Sequence, residues 1–597
     1  MNRRTNLLTL AILAAACQVA MAQILKAQIA AAQVAAAQRT VAVATVHPLA
    51  TDAAIEVFEE GGNAVDAAIT AALTLGVVDS HNAGIGGGCL ALVRRPDGSL
   101  LAIDGRETAP AAASRDMYLR DGKAVPELSR TGPLAAGTPG ALAAYDRLLR
   151  ECGSLPLERL LRPGAEAAEE GFAVSRLHAA AIRRTRDDLA KFPASRTALL
   201  TEEGEAPAVG DLLKRPDLAR TYRMVGEVGI DYFYRGEFAE RTGAWMRDNG
   251  GLLTADDFAA YREKRREPIV SSYRGYTVIG FPPPSSGGVH VAQMLGILEE
   301  FDLAETFERA PVEGIHLVAE AMKLAFADRA YWLGDADFAK VPRGLTSKAY
   351  AKQLAARIDP ERSIVVARHG DPPQWRQDLF GRHTTHIAAA DSEGWWVAIT
   401  ATVNTSFGSK VIIPGTGVVL NNEMDDFSTQ PGAPNAFGLV GAENNSVAPG
   451  KRPLSSMSPT IVLGAGGEPA FTIGAAGGPK IITCVLRGIV DMVDRGMTPS
   501  ETLAQPRYHH QWRPDRLSFE RTMPPAMVES LRAKGHELAV LPSAGTTQLI
   551  AADAGAGFLA ESDPRVDGKA SVAVVGPATQ PPARAREDTL VPATASP

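Results

Sequence analysis

The spacing of apolar and polar positions divides the chain into stretches of different character. Residues 48–60 read as a helix that Gly61-Gly62 stops, and Asn63 then stands as the cap of a second helix running to about residue 77. A glycine-rich stretch, 82–88, follows. Beyond it the apolar runs 90–94 and 101–104 flank Pro96-Asp97-Gly98, the pattern of a hairpin. From about residue 111 to 380 helical periodicity dominates, most clearly over 288–301 and 312–333. Strand character returns at residue 384, with 384–390 and 395–401 around a turn at 391–394, and a further pair at 460–463 and 469–473. Residues 525–534 read as a helix closed by Gly535. Strand pairs with helices on either side predict a layered α/β sandwich, and there is no internal repeat.

The two ends differ from this body. Arg3 and Arg4 precede an apolar run, 7–16, and Ala20-Met21-Ala22 offers a cleavage site before Gln23, so residues 1–22 read as a signal peptide. The run is too short for a stable bilayer anchor, and no later stretch reaches about 18 uncharged apolar residues. A periplasmic or secreted protein is expected. The alternative is lipidation at Cys17, for which Ala14-Ala15-Ala16 is a poor context. Residues 23–39 form an Ala/Gln-rich spacer with little to bury, and the folded region is expected to begin near Thr40. From Gly576 to Pro597 proline and alanine dominate, which predicts a disordered tail.

Composition narrows the function classes. The 597 residues are 45% hydrophobic and 22% charged, which excludes a mostly disordered or fibrous chain. The net charge of −7, with no block of one sign, gives no support for nucleic-acid or anionic-membrane binding. Cys17, Cys89, Cys152 and Cys484 are too scattered for a disulfide framework or a thiolate zinc site, and such low cysteine usage is compatible with export. No G-x-S-x-G, H-E-x-x-H or Walker A motif is present. Gly84 to Cys89 starts like a dinucleotide fingerprint, but Cys89 holds the last glycine position and a strand follows. His383 with His386, and His509 with His510, lack the carboxylate or cysteine partners of a metal site, so neither metal nor cofactor is predicted.

What remains is a series of polar and glycine segments beside apolar strands. They are His383-Thr384-Thr385-His386, Thr402-Val403-Asn404-Thr405-Ser406-Phe407-Gly408, Asn421-Asn422-Glu423-Met424-Asp425-Asp426-Phe427, Pro453-Leu454-Ser455-Ser456-Met457-Ser458-Pro459 and Gly474-Ala475-Ala476-Gly477-Gly478. Each alone reads as strand, turn, loop or solvated surface. Together with Asp104-Gly105-Arg106-Glu107, Gly137-Thr138-Pro139-Gly140, Pro282-Pro283-Pro284-Ser285-Ser286-Gly287-Gly288, Pro506-Arg507-Tyr508-His509-His510-Gln511 and Ser562-Asp563-Pro564-Arg565, the series resembles the γ-glutamyltransferases, also called γ-glutamyl transpeptidases. The likeness runs from about residue 40 to 574.

The resemblance implies an αββα sandwich of the N-terminal-nucleophile hydrolase type. It also implies a precursor that cuts itself between His383 and Thr384 into a large subunit, 40–383, and a small one, 384–575, which form a heterodimer. Thr384 would be the nucleophile in both cleavage and catalysis, with its freed α-amine as base. That amine's reference pKa of about 7.7–8.0 leaves a usable neutral fraction near neutral pH. By the same resemblance Thr402 orients that amine, and Gly477 and Gly478 form the oxyanion hole. Arg106, Ser455 and Ser456 would take the donor's α-carboxylate; Asn404, Glu423 and Asp426 would take its α-ammonium. The alternative for Arg106 is a structural ion pair with Asp104 or Glu107. Family members with a lid loop carry a tyrosine that bonds the residue at the Asn404 position; here the loop, about 428–449, has Phe437 in that place. The expected activity is transfer of the γ-glutamyl group of glutathione and related compounds to water, amino acids or dipeptides. A glutaryl-cephalosporin acylase is one rival, which Glu423 and Asp426 disfavour, and an unprocessed binding protein is the other.

Overall fold

The computed structural model describes residues 38–373, 386–541 and 544–577 except 554 and 556, with residues 21, 23 and 26 ahead of them. Most of the signal peptide, the spacer and the tail lie outside the described residues, as do His383 and Thr384.

Two antiparallel sheets stack face to face between layers of helices. Thirteen strands build them: β1 Arg39–Thr45, β2 Gly88–Arg94, β3 Leu100–Gly105, β4 Lys264–Arg266, β5 Ile269–Tyr273, β6 Tyr276–Gly280, β7 Ile387–Asp391, β8 Trp396–Thr402, β9 Thr460–Leu463, β10 Pro469–Ala476, β11 Thr546–Asp553, β12 Gly557–Ser562 and β13 Lys569–Val575. The first sheet runs β13-β1-β7-β8-β2-β3-β4 and the second β12-β11-β10-β9-β6-β5. Alternation along the strands assigns the faces. Val41, Val43, Ala91, Val93, Val397 and Ile399 point outward into a core shared with helices α1 Pro48–Glu59, α2 Ala64–Val78 and α3 Ala141–Cys152. Their neighbours Ala42, Ala44, Leu90, Leu92, Trp396 and Ala398 point inward and meet Ile279, Ile461 and Ile550 of the second sheet. Alanines interleaved with larger residues on one inner face thus receive branched ones from the other. The second sheet's outer face, with Val278, Val462, Phe471 and Ile473, buries helices α4 Gly287–Leu298, α5 Pro311–Trp332 and α6 Lys480–Val493. This is the expected αββα architecture.

Local chemistry sets the ends. Asn63 accepts from Val65 N and Asp66 N, while Asp66 takes the Asn63 N–H, a full capping box. Asp66 also accepts from Ser154 N and Leu155 N, fixing the turn after α3.

The reading of 111–380 as helical needs correcting, because β4, β5 and β6 fall within it. The β5–β6 hairpin turns on Arg274 and Gly275, whose φ values are 50° and 84°. Arginine at the first turn position replaces the usual Asn or Asp signal, so the sequence hid the turn. A second difference is Arg39. Sequence placed it in the spacer, yet it opens β1, is buried, and donates to Phe58 O and Gly62 O at 3.3 and 3.1 Å. Of the expected strand 384–390, residues 384 and 385 lie outside the described residues, His386 precedes the strand, and β7 covers 387–390.

Candidate active site

A polar cavity opens where strands of both sheets end. Thr402 closes β8 on the inward face, in phase with Trp396 and Ala398, and Ala476 closes β10. Around this space stand Thr402, Asn404, Asp426, Ser455, Ser456, Gly477 and Gly478, together with Asn82, Phe437 and Leu439. Seven residues named from sequence therefore share one cavity. Arg106 and Glu423 stand behind its wall, joined to Asp426.

The Thr402 end is built under strain. Asn404, Phe407 and Lys410 all take positive φ, 76°, 57° and 66°. Asparagine tolerates this region, but phenylalanine rarely does, so the surroundings must hold the loop. Asn404 N donates to Thr402 Oγ1 at 2.7 Å, Asn404 Nδ2 to Asn422 O at 3.0 Å, and Phe407 N to His81 O at 3.0 Å. Lys410 Nζ bonds Gly408 O and Thr405 Oγ1, and desolvation draws its pKa down to about 8. The glycines after Ile85 serve this packing. A Cβ on Gly87 would fall 1.8 Å from Thr402 O, and one on Gly86 2.1 Å from Val419 O. Asn421 fastens the opposite wall, bonding Gly86 O, Gly137 O and Gly137 N while accepting from Glu423 N.

Gly477 and Gly478 join β10 to α6, with φ of 134° and 61°. Among the described residues their N–H groups donate to no backbone carbonyl. At the positive end of a helix, such free donors favour charge developing on an oxygen. A Cβ on Gly478 would lie 2.6 Å from Phe437 Cδ1, so the aromatic ring lies directly on this glycine. The loop carrying Phe437 is tied down by Asn435, whose Oδ1 accepts from Phe437 N and Leu439 N and whose Nδ2 donates to Asp426 Oδ1.

The charged cluster is fully internal. Arg106 donates to Asp426 Oδ2 at 2.8 Å, to Glu107 Oε2 at 3.3 Å, and to Glu423 Oε1. The predicted alternative pairing with Glu107 thus coexists with pairing to both acids of the cavity. Asp104 instead takes Arg266 and Arg452, and only the Arg106 backbone N–H. Burial, opposed by Arg106, pushes the Asp426 carboxyl up to about 6, and burial pushes Glu107 up to about 7. Among the described residues, Glu423 Oε2 and Glu107 Oε1 are buried without a donor.

His509 bonds Thr483 and Gln511, and His510 bonds Asp515. Among the described residues, the grouping closest to a cation site is His316, Glu320 and His536. Its atoms are already engaged, His316 with His536 at 2.8 Å and Glu320 with the Lys323 ammonium at 3.1 Å, which opposes a second cation.

The Gamma-glutamyltranspeptidase family model matches residues 50–573. The chain belongs to this family. A glutathione hydrolase proenzyme of Escherichia coli is 41% identical over 88% of this chain and 90% of its own length. The acylase ACY 1 proenzyme of a Pseudomonas species is 37% identical over 84% and 87%. The crystal structure of a cephalosporin acylase from Bacillus halodurans superposes with a TM-score of 0.78 at 28% identity, covering 89% of this chain and 95% of that one. Within this γ-glutamyltranspeptidase fold, sequence reasoning left Asn82 and Leu439 of the cavity unassigned. Asn82 stood inside the glycine-rich segment 82–88 and Leu439 inside the loop 428–449 that carries Phe437, both usable signals.

Proposed function

We propose that the chain is a self-processing glutathione hydrolase and γ-glutamyltransferase. One observation carries the donor assignment: buried acids with an acceptor unfilled among the described residues, Glu423 Oε2, stand behind the same cavity that presents Ser455, Ser456 and the glycine pair. A donor with an α-ammonium, an α-carboxylate and a reactive γ-carbonyl matches that order of groups. A glutaryl donor, lacking the ammonium, would leave Glu423 and Asp426 paired with Arg106 as they stand and Glu423 Oε2 still unfilled among the described residues, which sets it second.

In this reading Thr384 attacks the γ-carbonyl, the Gly477 and Gly478 N–H groups receive the oxyanion, and a threonyl ester forms as the amine departs. Water or an incoming amine then takes the acyl group. Thr384 loses its proton to its own α-amine, which exists only after the peptide bond to His383 is cut. Strand register supports setting Thr402 beside that amine: Ile387 pairs with Ile399, and Thr384 and Thr402 lie three positions beyond them. The two products would be a heterodimer, exported to the periplasm or beyond, and the threonyl chemistry uses no cofactor. No described helix is long and apolar enough to cross a membrane.

Release of p-nitroaniline from γ-glutamyl-p-nitroanilide, with and without glycylglycine, tests the activity; an inert, fully cut protein would refute it. The same assay addresses the lid. Phe437 lacks the hydroxyl that could bond across to Asn404. Phe437→Tyr is expected to shift the ratio of hydrolysis to transfer by about 2–10-fold, the scale of one hydrogen bond. An unchanged ratio would remove the lid from the argument.

Acid should weaken donor binding. Asp426 can pair with an ammonium only when ionised, so kcat/KM is expected to fall as pH drops through about 6. Asp426→Asn should raise KM and abolish that limb. Persistence of the limb in the variant would assign it to another group.

A further inference from the structure

A second cavity, of about 260 Å³, meets the first at Asn82, Ala476 and Gly477. Part of its wall is polar but uncharged. His386 precedes β7 in phase with the inward-facing Ala388 and Ala390, and its ring lies over Gly474, where a Cβ would fall 2.1 Å from Nδ1. In the β10–β11 register Gly474 pairs with Gln548, which is in phase with the inward-facing Ile550. His386 and Gln548 both line this cavity and are 2% and 1% exposed. Among the described residues, neither ring nitrogen of His386 and neither amide atom of Gln548 has a hydrogen-bond partner. Leaving one such group buried and unsatisfied costs about 1–3 kcal/mol, so the pair calls for a polar occupant. Burial draws the His386 pKa down to about 3, which keeps the ring neutral at working pH, with one donor and one acceptor nitrogen. Gln548 likewise offers a donor and an acceptor. A peptide amide is the neutral group that presents both in return.

The two ends of the cavity differ from this wall. Arg184, exposed on the helix Arg176–Leu189, lines the cavity and makes no ion pair among the described residues, whereas Arg186 on the same helix holds Asp187 and Glu205. Asp567 is a second exposed lining residue. Where the cavities meet, Asn82 Nδ2 donates to Asp79 Oδ1 and Oδ2 at 3.2 and 3.1 Å. That leaves Oδ1, an acceptor only, as the free end of an amide lining both cavities.

We propose that the second cavity is the acceptor chamber of the transfer reaction, taking a dipeptide whose amide meets Gln548 and His386, whose carboxylate meets Arg184, and whose amine reaches the ester past Asn82 and Gly477. The inference rests on the donor reading above and names the acceptor that reading leaves open. The amine nitrogen bonds to the γ-carbonyl carbon, the bond from that carbon to the Thr384 oxygen breaks, and the proton the nitrogen loses passes through the Thr384 α-amine to that oxygen. A free amino acid brings the same amine but leaves Gln548 and His386 unpaired, so dipeptides are the favoured acceptors.

The test follows transfer from γ-glutamyl-p-nitroanilide, in the cut enzyme, to glycylglycine and to glycylglycinamide, which carries an amide in place of the terminal carboxylate. Arg184→Met is expected to raise the glycylglycine KM about 3–10-fold, between the worth of an exposed ion pair and that of a charge-assisted hydrogen bond, and the glycylglycinamide KM less than about twofold. Gln548→Leu should raise both acceptor KM values, with the donor KM held within about twofold. Asp567→Asn should not raise the glycylglycine KM; a rise would mean that the rim reads an ammonium, and would overturn the proposal. An Arg184→Met enzyme that treats both acceptors as the wild type does, or weakens both alike, would overturn it too, the first being the result for a cavity that holds only water. Should Gln548→Leu fail to accumulate, the exposed Arg184 decides alone. A wild type that hydrolyses the anilide but transfers to neither acceptor would sink this inference only; a wild type inert on the anilide would sink the donor reading itself.

Discussion

Thr384→Ala should yield a single uncut polypeptide with no measurable donor turnover. Losing the hydroxyl removes the attacking atom from both reactions, and removing a nucleophile from comparable acyl-transfer machinery costs on the order of 10⁴–10⁶ in kcat. A denaturing gel separates the outcomes. Wild type should show two fragments, one ending at His383 and one starting at Thr384, and the variant one band. Normal cutting in Thr384→Ala would refute the assigned nucleophile. Thr384→Ser, which keeps a hydroxyl, should still be cut.

Arg106→Gln should combine a stability loss with a loss of donor affinity. The substitution leaves Glu107, Glu423 and Asp426 buried together without their shared cation. Breaking such a buried pairing by removing one partner costs about 3–5 kcal/mol. The deficit should depend on pH in a definite direction. Asp426 and Glu107 already have raised pKa values, about 6 and about 7, and removing Arg106 raises them further. Groups raised in the folded state favour it when protonated, and that contribution disappears as pH rises through the folded values. The variant's melting temperature should thus lie closest to wild type near pH 5 and furthest from it near pH 8. An equal deficit at both would show that the cluster is held by packing rather than charge.

The elements marked by a local cap or turn signal were readable in the sequence, and those without one were not. Helix α2, though buried along its whole length, announces itself through the Asn63 cap, and β9 falls where it was expected. Strand β1, in contrast, is buried along nearly its whole length, so Val-Ala-Val-Ala shows no polar alternation and looks like a continuation of the Ala/Gln tract. The site was named through motif resemblance rather than periodicity. Its assembly depends on contacts that local pattern cannot carry: Arg106 and Asp426 are 320 positions apart. Arg329 was illegible for a further reason. An arginine in the last turn of a helix ordinarily faces solvent and complements the helix dipole, and only the tertiary fold shows this one turned inward against Ser286, Ser455 and Ser456.

Strand β1 is flanked in the first sheet by β7 on one side and β13 on the other, both from beyond residue 384. If the chain is severed before Thr384, an N-terminal ribbon stays clasped between two ribbons of the C-terminal piece. The halves then resemble interlaced fingers rather than two bodies in contact. Neither could be withdrawn without unzipping the centre of the sheet, and neither would possess a finished sheet by itself. Scission is therefore an event that must come after folding, and dilution alone would not pull the products apart.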